Sequence, residues 1–202
     1  MKGLLVDFGG VLTTNVFDSF RAFCESEGLE PDAVKQLFRE RGEGLDLLRQ
    51  LERGEITNDD FSPRFGALLG VKDTTELPGR LFAGVGPDEP MVDAVKRAKA
   101  AGVKTGLISN SWGDRNQYDR ESFPLMFDAV VISGEVGLNK PAPEIFRLAA
   151  EKVGLPAEEC VFVDDLKENC AGAEAVGMTA ILHRGAEQTL PELERLLGVT
   201  LS

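Results

Sequence analysis

A carboxylate directly follows the first short apolar run of the sequence. If this run is a strand of an open α/β sheet, the carboxylate lies at the carboxyl end of the strand, where such sheets bind their ligands. Asp7 directly follows the run from Gly3 to Val6, and Gly9 and Gly10 come shortly after it. The two glycines allow the backbone to approach a bound anion closely, and an aspartate at this place can act as a nucleophile. Taken alone, the segment is equally typical of a tight turn in which the aspartate caps the next helix.

Hydroxyl, amide and amine groups occupy comparable positions later in the chain. Ser109 and Asn110 follow a second apolar run, where they can donate to a phosphoryl oxygen or simply cap the next helix. Lys140 stands before Pro141, which keeps the lysine out of a helix and favours its presentation at the edge of the sheet. An ordinary solvated lysine is the alternative interpretation.

Two adjacent acids, Asp164 and Asp165, end a further apolar run, and Asn169 follows them. Adjacent carboxylates that emerge from a buried strand repel each other unless a cation or the start of a helix compensates their charge. A helix cap accounts for one of the two acids, but not easily for both. The pair therefore favours a cation site.

The overall composition restricts the classes of function. The chain has 202 residues, of which 43% are hydrophobic, so it can fold as one domain or as a domain with an insertion. Its net charge of −12 repels nucleic acid and anionic membranes, so any phosphate site must be built locally. No secretory signal or membrane span is predicted, and the three cysteines are expected to be free thiols, which together indicate a cytoplasmic protein.

Five short apolar runs are predicted to form a doubly wound, parallel, Rossmann-like α/β sheet, because helical patterns separate the last four of them. Proline at the start and glycine at the end mark two of these helices, from Pro90 to Gly102 and from Pro143 to Gly154, and another ends at Gly177. The predicted strands are residues 3–6, 103–108, 129–132, 160–163 and 178–182.

The segment between the first two predicted strands shows several amphipathic helix patterns and no alternating strand pattern. We therefore predict an all-helical insert at residues 15–86, within an α/β core domain formed by residues 1–14 and 87–202.

Local signals place some helices of this insert. One is predicted to begin at Pro31, and another to begin at a capping box formed by Thr57 and Asp60 and to end at Gly70. The apolar stripes of the insert are expected to pack in its core rather than bind a cofactor. They comprise Phe17, Phe20, Phe23, Val34, Leu37, Phe38, Leu47, Leu48, Leu51, Phe61, Phe65, Leu68 and Leu69.

Taken in chain order, four segments resemble the four motifs of the haloacid dehalogenase superfamily. They are residues 7–13, Ser109, Lys140 and the pair Asp164–Asp165. The resemblance covers essentially the whole chain, and the helical insert after the first motif is similar to the superfamily's first type of cap domain. Four ordered motifs rarely coincide by chance, so the resemblance is specific.

One branch of the superfamily is especially similar to this chain. Asn169 after the acidic pair, and residues 52–56 in the insert, resemble the branch that contains the phosphatase domain of bifunctional epoxide hydrolases and the bacterial α-glucose-1-phosphate phosphatases. This likeness implies a Mg²⁺-dependent phosphatase that acts on a small-molecule phosphate ester, as a monomer or homodimer.

The resemblance also implies a role for each acidic residue. Asp7 would attack the phosphorus and form an aspartyl-phosphate, which water then hydrolyses. Mg²⁺ would be held by the Asp7 carboxylate, the backbone carbonyl of Gly9 and Asp165. Asp164 and Asn169 would stand behind these ligands and orient them.

Three residues would bind the phosphoryl group by the same resemblance. Ser109, the Asn110 amide and Lys140 would stabilise the charge on its oxygens, which is the dominant contribution when bond-making is loose. Lys140 would also steady Asp7.

The sequence departs from the superfamily's pattern at Gly9, where most of its phosphatases carry a second aspartate that protonates the leaving group. General acid–base help is typically worth about 10²- to 10⁴-fold. A leaving group that is already acidic needs least protonation, so sugar 1-phosphates are the favoured hypothesis for the substrate.

Two other functions remain open. The first is a metal-independent dehalogenase, which uses the same aspartate on carbon, and the acidic pair weighs against it. The second is a weakly active phosphometabolite-binding or regulatory protein in which Gly9 marks a lost activity. A binding protein needs no nucleophile, so the presence of Asp7 favours an enzyme.

Other polar residues are secondary candidates. His183 is the only histidine, matches no motif and is interpreted as structural. Several residues could supply substrate selectivity or a substitute acid, although for each charged one a solvated surface side chain is the better interpretation: Arg39, Arg41, Glu43, Asp46, Trp112 and Arg115.

Overall fold

The structure contains a parallel five-stranded sheet, and the predicted site residues Asp7, Ser109 and Asp164 lie at the carboxyl ends of its strands. The computed structural model describes residues 1–40, 42–111 and 118–202. The strands are β1 (Gly3–Val6), β2 (Lys104–Ser109), β3 (Ala129–Ile132), β4 (Cys160–Asp164) and β5 (Thr179–Leu182). Their order is β3-β2-β1-β4-β5, with every pair parallel. The predicted α/β fold is confirmed, and every strand boundary lies within one residue of its predicted position.

Side chains of β1 alternate between two apolar layers, because successive residues of a strand point to opposite faces of the sheet. Leu4 and Val6 pack in one layer and Leu5 packs in the other. The helices of the first layer are α6 (Glu89–Ala100), α7 (Phe123–Met126) and α11 (Ala186–Leu197), and those of the second are α9 (Pro143–Val153) and α10 (Lys167–Glu174). The sheet is therefore covered on both faces, as a doubly wound fold requires.

Between β1 and α6 the described chain is helical and has an apolar cluster of its own. Phe61, Phe65 and Leu51 are fully buried in this cluster. The helices are α1 (Val16–Ser26), α2 (Ala33–Arg39), α3 (Glu43–Glu52), α4 (Asn58–Leu69) and α5 (Leu77–Leu81). Across the described ranges, no helix is both long enough and apolar enough to cross a membrane.

The local signals in this segment are mostly confirmed. The Asp60 N–H donates to Thr57 Oγ1 at 3.2 Å and the Thr57 N–H donates to Asp60 Oδ2 at 3.1 Å, which completes the predicted capping box. Leu68 is an exception, because it is 36% exposed and lies outside the apolar face of α4. The helix predicted to begin at Pro31 begins at Ala33, with Asp32 at the capping position.

Four α-helices within the described residues were not predicted as separate elements with their own bounds. The helices α5, α7 and α8 (Ser133–Val136) have only four or five residues, which is too short for a hydrophobic period to be recognised. The longer α11 contains Pro191, and a proline inside a helical pattern normally indicates the end of a helix.

The chain enters and leaves the helical segment side by side. Thr13 and Pro87 form an isolated antiparallel bridge, and the Thr14 N–H donates to the Gly86 carbonyl at 2.8 Å. These contacts hold the two ends of the helical segment together. They lie close to Asp7 in the chain and next to the predicted boundaries of the insert.

Candidate active site

Asp7 lies at the carboxyl end of β1, the central strand of the sheet. Its N–H donates to the Val163 carbonyl at 2.9 Å, which extends the pairing of β1 with β4 beyond the strand. The residue is only 8% exposed. Because β2 and β4 flank β1, the side chains that follow those strands converge on Asp7.

Lys140 joins Asp7 to Asp164. Its Nζ lies 2.6 Å from Asp7 Oδ1 and 2.7 Å from Asp164 Oδ2, and the residue is only 3% exposed. Burial opposes the charge of this ammonium, but the carboxylates of Asp164 and Asp7 outweigh it and raise the pKa of Lys140. The interpretation of Lys140 as a solvated surface lysine is therefore wrong, and it stands as a buried cation between two acids.

Asp164 is fully buried and surrounded by donors. Its carboxylate accepts hydrogen bonds from the Leu166 N–H at 2.9 Å and from Asn169 Nδ2 at 3.0 and 3.1 Å, in addition to the contact from Lys140. A carboxylate satisfied in this way is suited to orient Lys140 rather than to bind a ligand itself.

Three acids converge at the end of the sheet. Asp7, Asp164 and Asp165 each offer one oxygen, and these oxygens lie within 4.8 Å of one another. Burial, reinforced by the charge of Asp164, raises the pKa of Asp165 to about 6. Burial also raises the pKa of Asp7, against the pull of Lys140. Crowded carboxylates of this kind are the hard oxygen ligands that Mg²⁺ prefers, so the residues present fit a divalent cation.

The structure requires glycine to different degrees at the two positions after Phe8. Gly10 has a φ of +75°, and a Cβ built on it would lie 2.8 Å from Asp165 Oδ2, so only glycine allows this close approach. A Cβ on Gly9 would meet only Val16 Cγ2, at 3.3 Å, among the described atoms. This contact is tight, so a side chain at position 9 requires Val16 to shift by a few tenths of an ångström, but the backbone conformation of Gly9 does not demand glycine.

Ser109 is the last residue of β2 and Asn110 follows it, and their side chains make different contacts. Ser109 Oγ lies 3.0 Å from Tyr118 Oη beside the site. The Asn110 side chain accepts from the Lys140 N–H at 2.9 Å and donates to the Lys140 carbonyl and to Glu52 Oε2, both at 3.2 Å. The side-chain amide of Asn110 therefore positions the Lys140 segment, rather than offering its N–H groups to a phosphoryl oxygen.

Glu52 is a candidate residue that the sequence did not indicate. It is the last residue of α3, and its carboxylate reaches Asn110 while its backbone carbonyl accepts from Ser133 Oγ. Burial raises the pKa of Glu52 to about 7, opposed by the hydrogen bond from Asn139 and the charge of Lys140. The resemblance of residues 52–56 to one branch of the superfamily marked this segment but assigned Glu52 no role.

We expect the free energy of unfolding of the Glu52→Gln variant to increase relative to that of the wild type as the pH rises. The folded-state pKa of about 7 lies above the ordinary value of 4.5, so the folded protein holds this proton longer than the unfolded chain. The wild type therefore loses stability as pH rises through this interval, whereas glutamine does not ionise. Urea unfolding at about pH 5 and about pH 8 should show the free-energy difference between variant and wild type shifting by on the order of 2 kcal/mol.

The matched control is Glu55→Gln, which removes an exposed acid from the same segment. It should show no comparable gain, because the hydrogen bond from Arg53 lowers the pKa of Glu55. A difference between Glu52→Gln and the wild type that stayed constant with pH would contradict the assignment.

A cavity of about 200 Å³ lies beside Asp7, between the edge of the sheet and the helical segment. Asp7, Ser109, Lys140 and Asp165 all line it, so the residues predicted from four separate segments share one chamber.

The secondary candidate residues lie at different places in the structure. Arg39 lines the cavity, whereas Glu43 and Asp46 are exposed elsewhere on the surface. Arg41, Trp112 and Arg115 lie outside the described residues. His183 is buried, and its Nδ1 lies 2.9 Å from Thr189 Oγ1, as expected of a packed structural histidine.

Known proteins resemble this chain along most of its length. Residues 1–177 match the family model of haloacid dehalogenase-like hydrolases. The D-ribitol-5-phosphate phosphatase of Bacteroides thetaiotaomicron is 28% identical over 211 residues, which cover 98% of this chain and 99% of that protein. Bifunctional epoxide hydrolase 2 of Mus musculus is 31% identical, over 95% of this chain and 38% of that protein. Other relatives are much longer, and the chain spans only 19% to 30% of their length.

The fold is also shared with solved structures. A HAD family enzyme from Bacteroides thetaiotaomicron, in complex with magnesium and inorganic phosphate, has a TM-score of 0.67. It is 21% identical, and the match covers 92% of this chain and 95% of that one. At this identity the likeness shows the common fold alone.

Proposed function

Because the chain belongs to the haloacid dehalogenase-like hydrolases, we propose that it is a Mg²⁺-dependent phosphatase that hydrolyses a small phosphate ester through Asp7. The observation that supports this most is the buried cluster in which Lys140 contacts both Asp7 and Asp164 while Asp165 stands within reach. A relative named as a D-ribitol-5-phosphate phosphatase, aligned over nearly its whole length, supports hydrolysis of a phosphoric monoester.

In this proposal Asp7 is the nucleophile. Lys140 Nζ and the Phe8 N–H both contact Asp7 Oδ1, at 2.6 and 2.7 Å, so we assign the attack on phosphorus to Oδ2. The bond from this oxygen to phosphorus forms as the bond from phosphorus to the leaving oxygen breaks. Water then attacks the aspartyl-phosphate, releases inorganic phosphate and restores the carboxylate.

The acidic residues and the first loop would hold the cation. Asp7, the carbonyl of Gly9 and Asp165 are the proposed ligands, with Asp164 and Asn169 behind them. When bound, Mg²⁺ would supply positive charge that reduces the repulsion between the Asp7 carboxylate and the phosphoryl group. Asp164 contributes by orienting Lys140, since its own oxygens are occupied by donors.

Lys140 and Ser109 would bind the phosphoryl oxygens. An ammonium has three protons, and two of those on Lys140 point to Asp7 and Asp164, so one remains for the substrate. The Ser109 hydroxyl lines the same cavity. Asn110 enters this scheme through its bonds to the backbone of Lys140.

Residues 15–86 are proposed to form a cap domain over this site. Their apolar cluster is separate from the two layers of the sheet, and both chain crossings lie at one bridge beside Asp7. Arg39 and Glu52 are the polar side chains of this segment that line the described cavity.

A chelator is expected to abolish phosphate release, and added Mg²⁺ should restore it. Protons and the cation compete for the same carboxylate oxygens, and the pKa of Asp165 is raised to about 6. The Mg²⁺ concentration that gives half-maximal activity should therefore decrease as the pH is raised from about 6 to about 8. Phosphate release from a panel of phosphate esters, followed at several Mg²⁺ concentrations, measures both effects.

Two variants and one parallel assay make this test specific. Asp165→Asn should need at least about tenfold more Mg²⁺, whereas Glu168→Gln, which changes an exposed acid at the same cavity, should need little more. Halide release from haloacids that persists with the chelator would favour the dehalogenase instead. Binding of phosphate esters without any release would favour the binding protein.

A further inference from the structure

The wall that the helical segment contributes to the cavity is mostly apolar. The helical segment contributes Val16, Phe17 and Phe20 from α1, Phe38 from α2, Leu48 from α3 and Phe82 after α5. On the sheet side, Phe8 and Tyr118 stand next to the polar residues, with their rings 4.8 Å apart. A substrate whose phosphoryl group lies at Asp7 would therefore place the rest of the molecule against aromatic and aliphatic side chains.

This wall is held in place by ring contacts. Phe20 packs edge to face against Phe17, Phe38 and Phe82, with ring centroids 6.0, 5.9 and 5.5 Å apart. Phe20 is 3% exposed and Phe38 is 8% exposed, so both rings belong to the packed cluster of the helical segment as well as to the cavity. The apolar surface is thus part of the packing of the helical segment.

The helical segment adds few polar side chains to this wall. Among the described residues they are Arg39, whose guanidinium lies 5.8 Å from the centre of the Phe17 ring, and Glu52, which accepts from Asn110. Hydroxyls of a polyol that pointed toward this wall would meet mainly apolar carbon, which is unfavourable when they are buried without hydrogen-bond partners.

We propose that this chamber receives an apolar leaving group of about the size of one ring, so that the substrate is a phosphate ester of a phenol or similar apolar alcohol. The proposal rests on the proposed function and replaces the preference for sugar phosphates that Gly9 alone suggested. The cavity of about 200 Å³ is large enough, since an engineered cavity of about 150 Å³ binds benzene.

A phenolic leaving group also suits the missing acid at Gly9. As Asp7 Oδ2 bonds to phosphorus, the bond between phosphorus and the phenolic oxygen breaks and its electron pair leaves with that oxygen. A phenolate is stable enough to depart as an anion and to take its proton from solvent afterwards. An aryl phosphate therefore satisfies both the apolar wall and the absence of an aspartate at position 9.

The test compares substrates in pairs that differ in polarity. Hexyl phosphate and glucose 6-phosphate both release a primary alcohol, so this pair decides the proposal. Phenyl phosphate and glucose 1-phosphate form a second pair, in which the phenol is also the more acidic leaving group. In each pair kcat/KM should be at least about tenfold higher for the apolar member. Along a series of short alkyl phosphates, kcat/KM should rise about fourfold per methylene until the chamber is full.

A pair of variants on α3 separates the chamber from general loosening of the helical segment. Leu48→Ala should lower the ratio of phenyl phosphate to glucose 1-phosphate several-fold, because Leu48 lines the cavity. Leu51→Ala, a truncation in the buried cluster of the same helix, should leave that ratio unchanged. The wild-type pairs decide the proposal if either variant fails to fold.

The outcomes distinguish this inference from the function on which it rests. Sugar phosphates that match or exceed their apolar partners, while hydrolysis still depends on Asp7, would overturn the apolar chamber and leave the phosphatase in place. Failure of every ester to be hydrolysed would overturn the phosphatase and the chamber with it.

Discussion

Asp7→Asn is expected to lower kcat/KM for phosphate release by at least about 10⁴-fold. Asparagine keeps the size of the side chain but lacks the nucleophilic carboxylate. The change sits at a buried position whose backbone is fixed by β4, so the fold should survive it. Steady-state phosphate release with saturating Mg²⁺ measures the loss, and circular dichroism checks the fold.

Asp165→Asn is the matched control, because Asp7 is both nucleophile and proposed metal ligand. High Mg²⁺ should restore much of the activity of Asp165→Asn and none of that of Asp7→Asn. An Asp7→Asn protein within about tenfold of the wild-type rate would remove the nucleophile from the proposal.

Lys140→Met is expected to lower the free energy of unfolding by about 3 to 5 kcal/mol, measured by urea unfolding without Mg²⁺. Lys140 is 3% exposed, and its ammonium contacts Asp7 and Asp164 at 2.6 and 2.7 Å. Methionine fills a similar volume but leaves two buried acids without their cation. The same change should also abolish phosphatase activity, because the phosphoryl group loses its ammonium contact.

A double variant tests the reason for this loss. Lys140→Met combined with Asp164→Asn removes one of the two orphaned acids, so it should recover part of the lost stability while remaining inactive. If Lys140→Met alone lowered the free energy of unfolding by less than about 1 kcal/mol, the contacts of Lys140 with Asp7 and Asp164 would contribute no more than an exposed ion pair. That result would contradict the role of the buried cluster in stability.

The strand ends were predictable because each buried parallel strand is a nearly continuous apolar run. Asp7 therefore stood out from the sequence, as did Asp164 and Asp165, and the structure brings them together with Lys140. Chain order alone could not show that Asp164 is enclosed by donors while Asp165 lines the cavity, since the two residues are adjacent at the end of the same strand.

Contacts between distant segments were not predictable in the same way. Glu52 meets Asn110 across 58 positions of the chain, and no local pattern indicates such a pairing. Phe20 was expected to pack in the core of the insert, and it does, but the same ring also lines the cavity. Helical periodicity identifies an apolar face without showing which part of it meets the active site.

The aspartyl-phosphate itself gives the most direct test of the proposed function. Wild-type protein and Asp7→Asn would be mixed with phenyl phosphate and Mg²⁺, quenched in acid during the first turnover, digested and analysed by mass spectrometry. We predict one added phosphoryl group on the wild-type peptide that contains Asp7, and none on the variant. Wild-type protein that releases phosphate while a phosphoryl group never appears on Asp7 would contradict the mechanism.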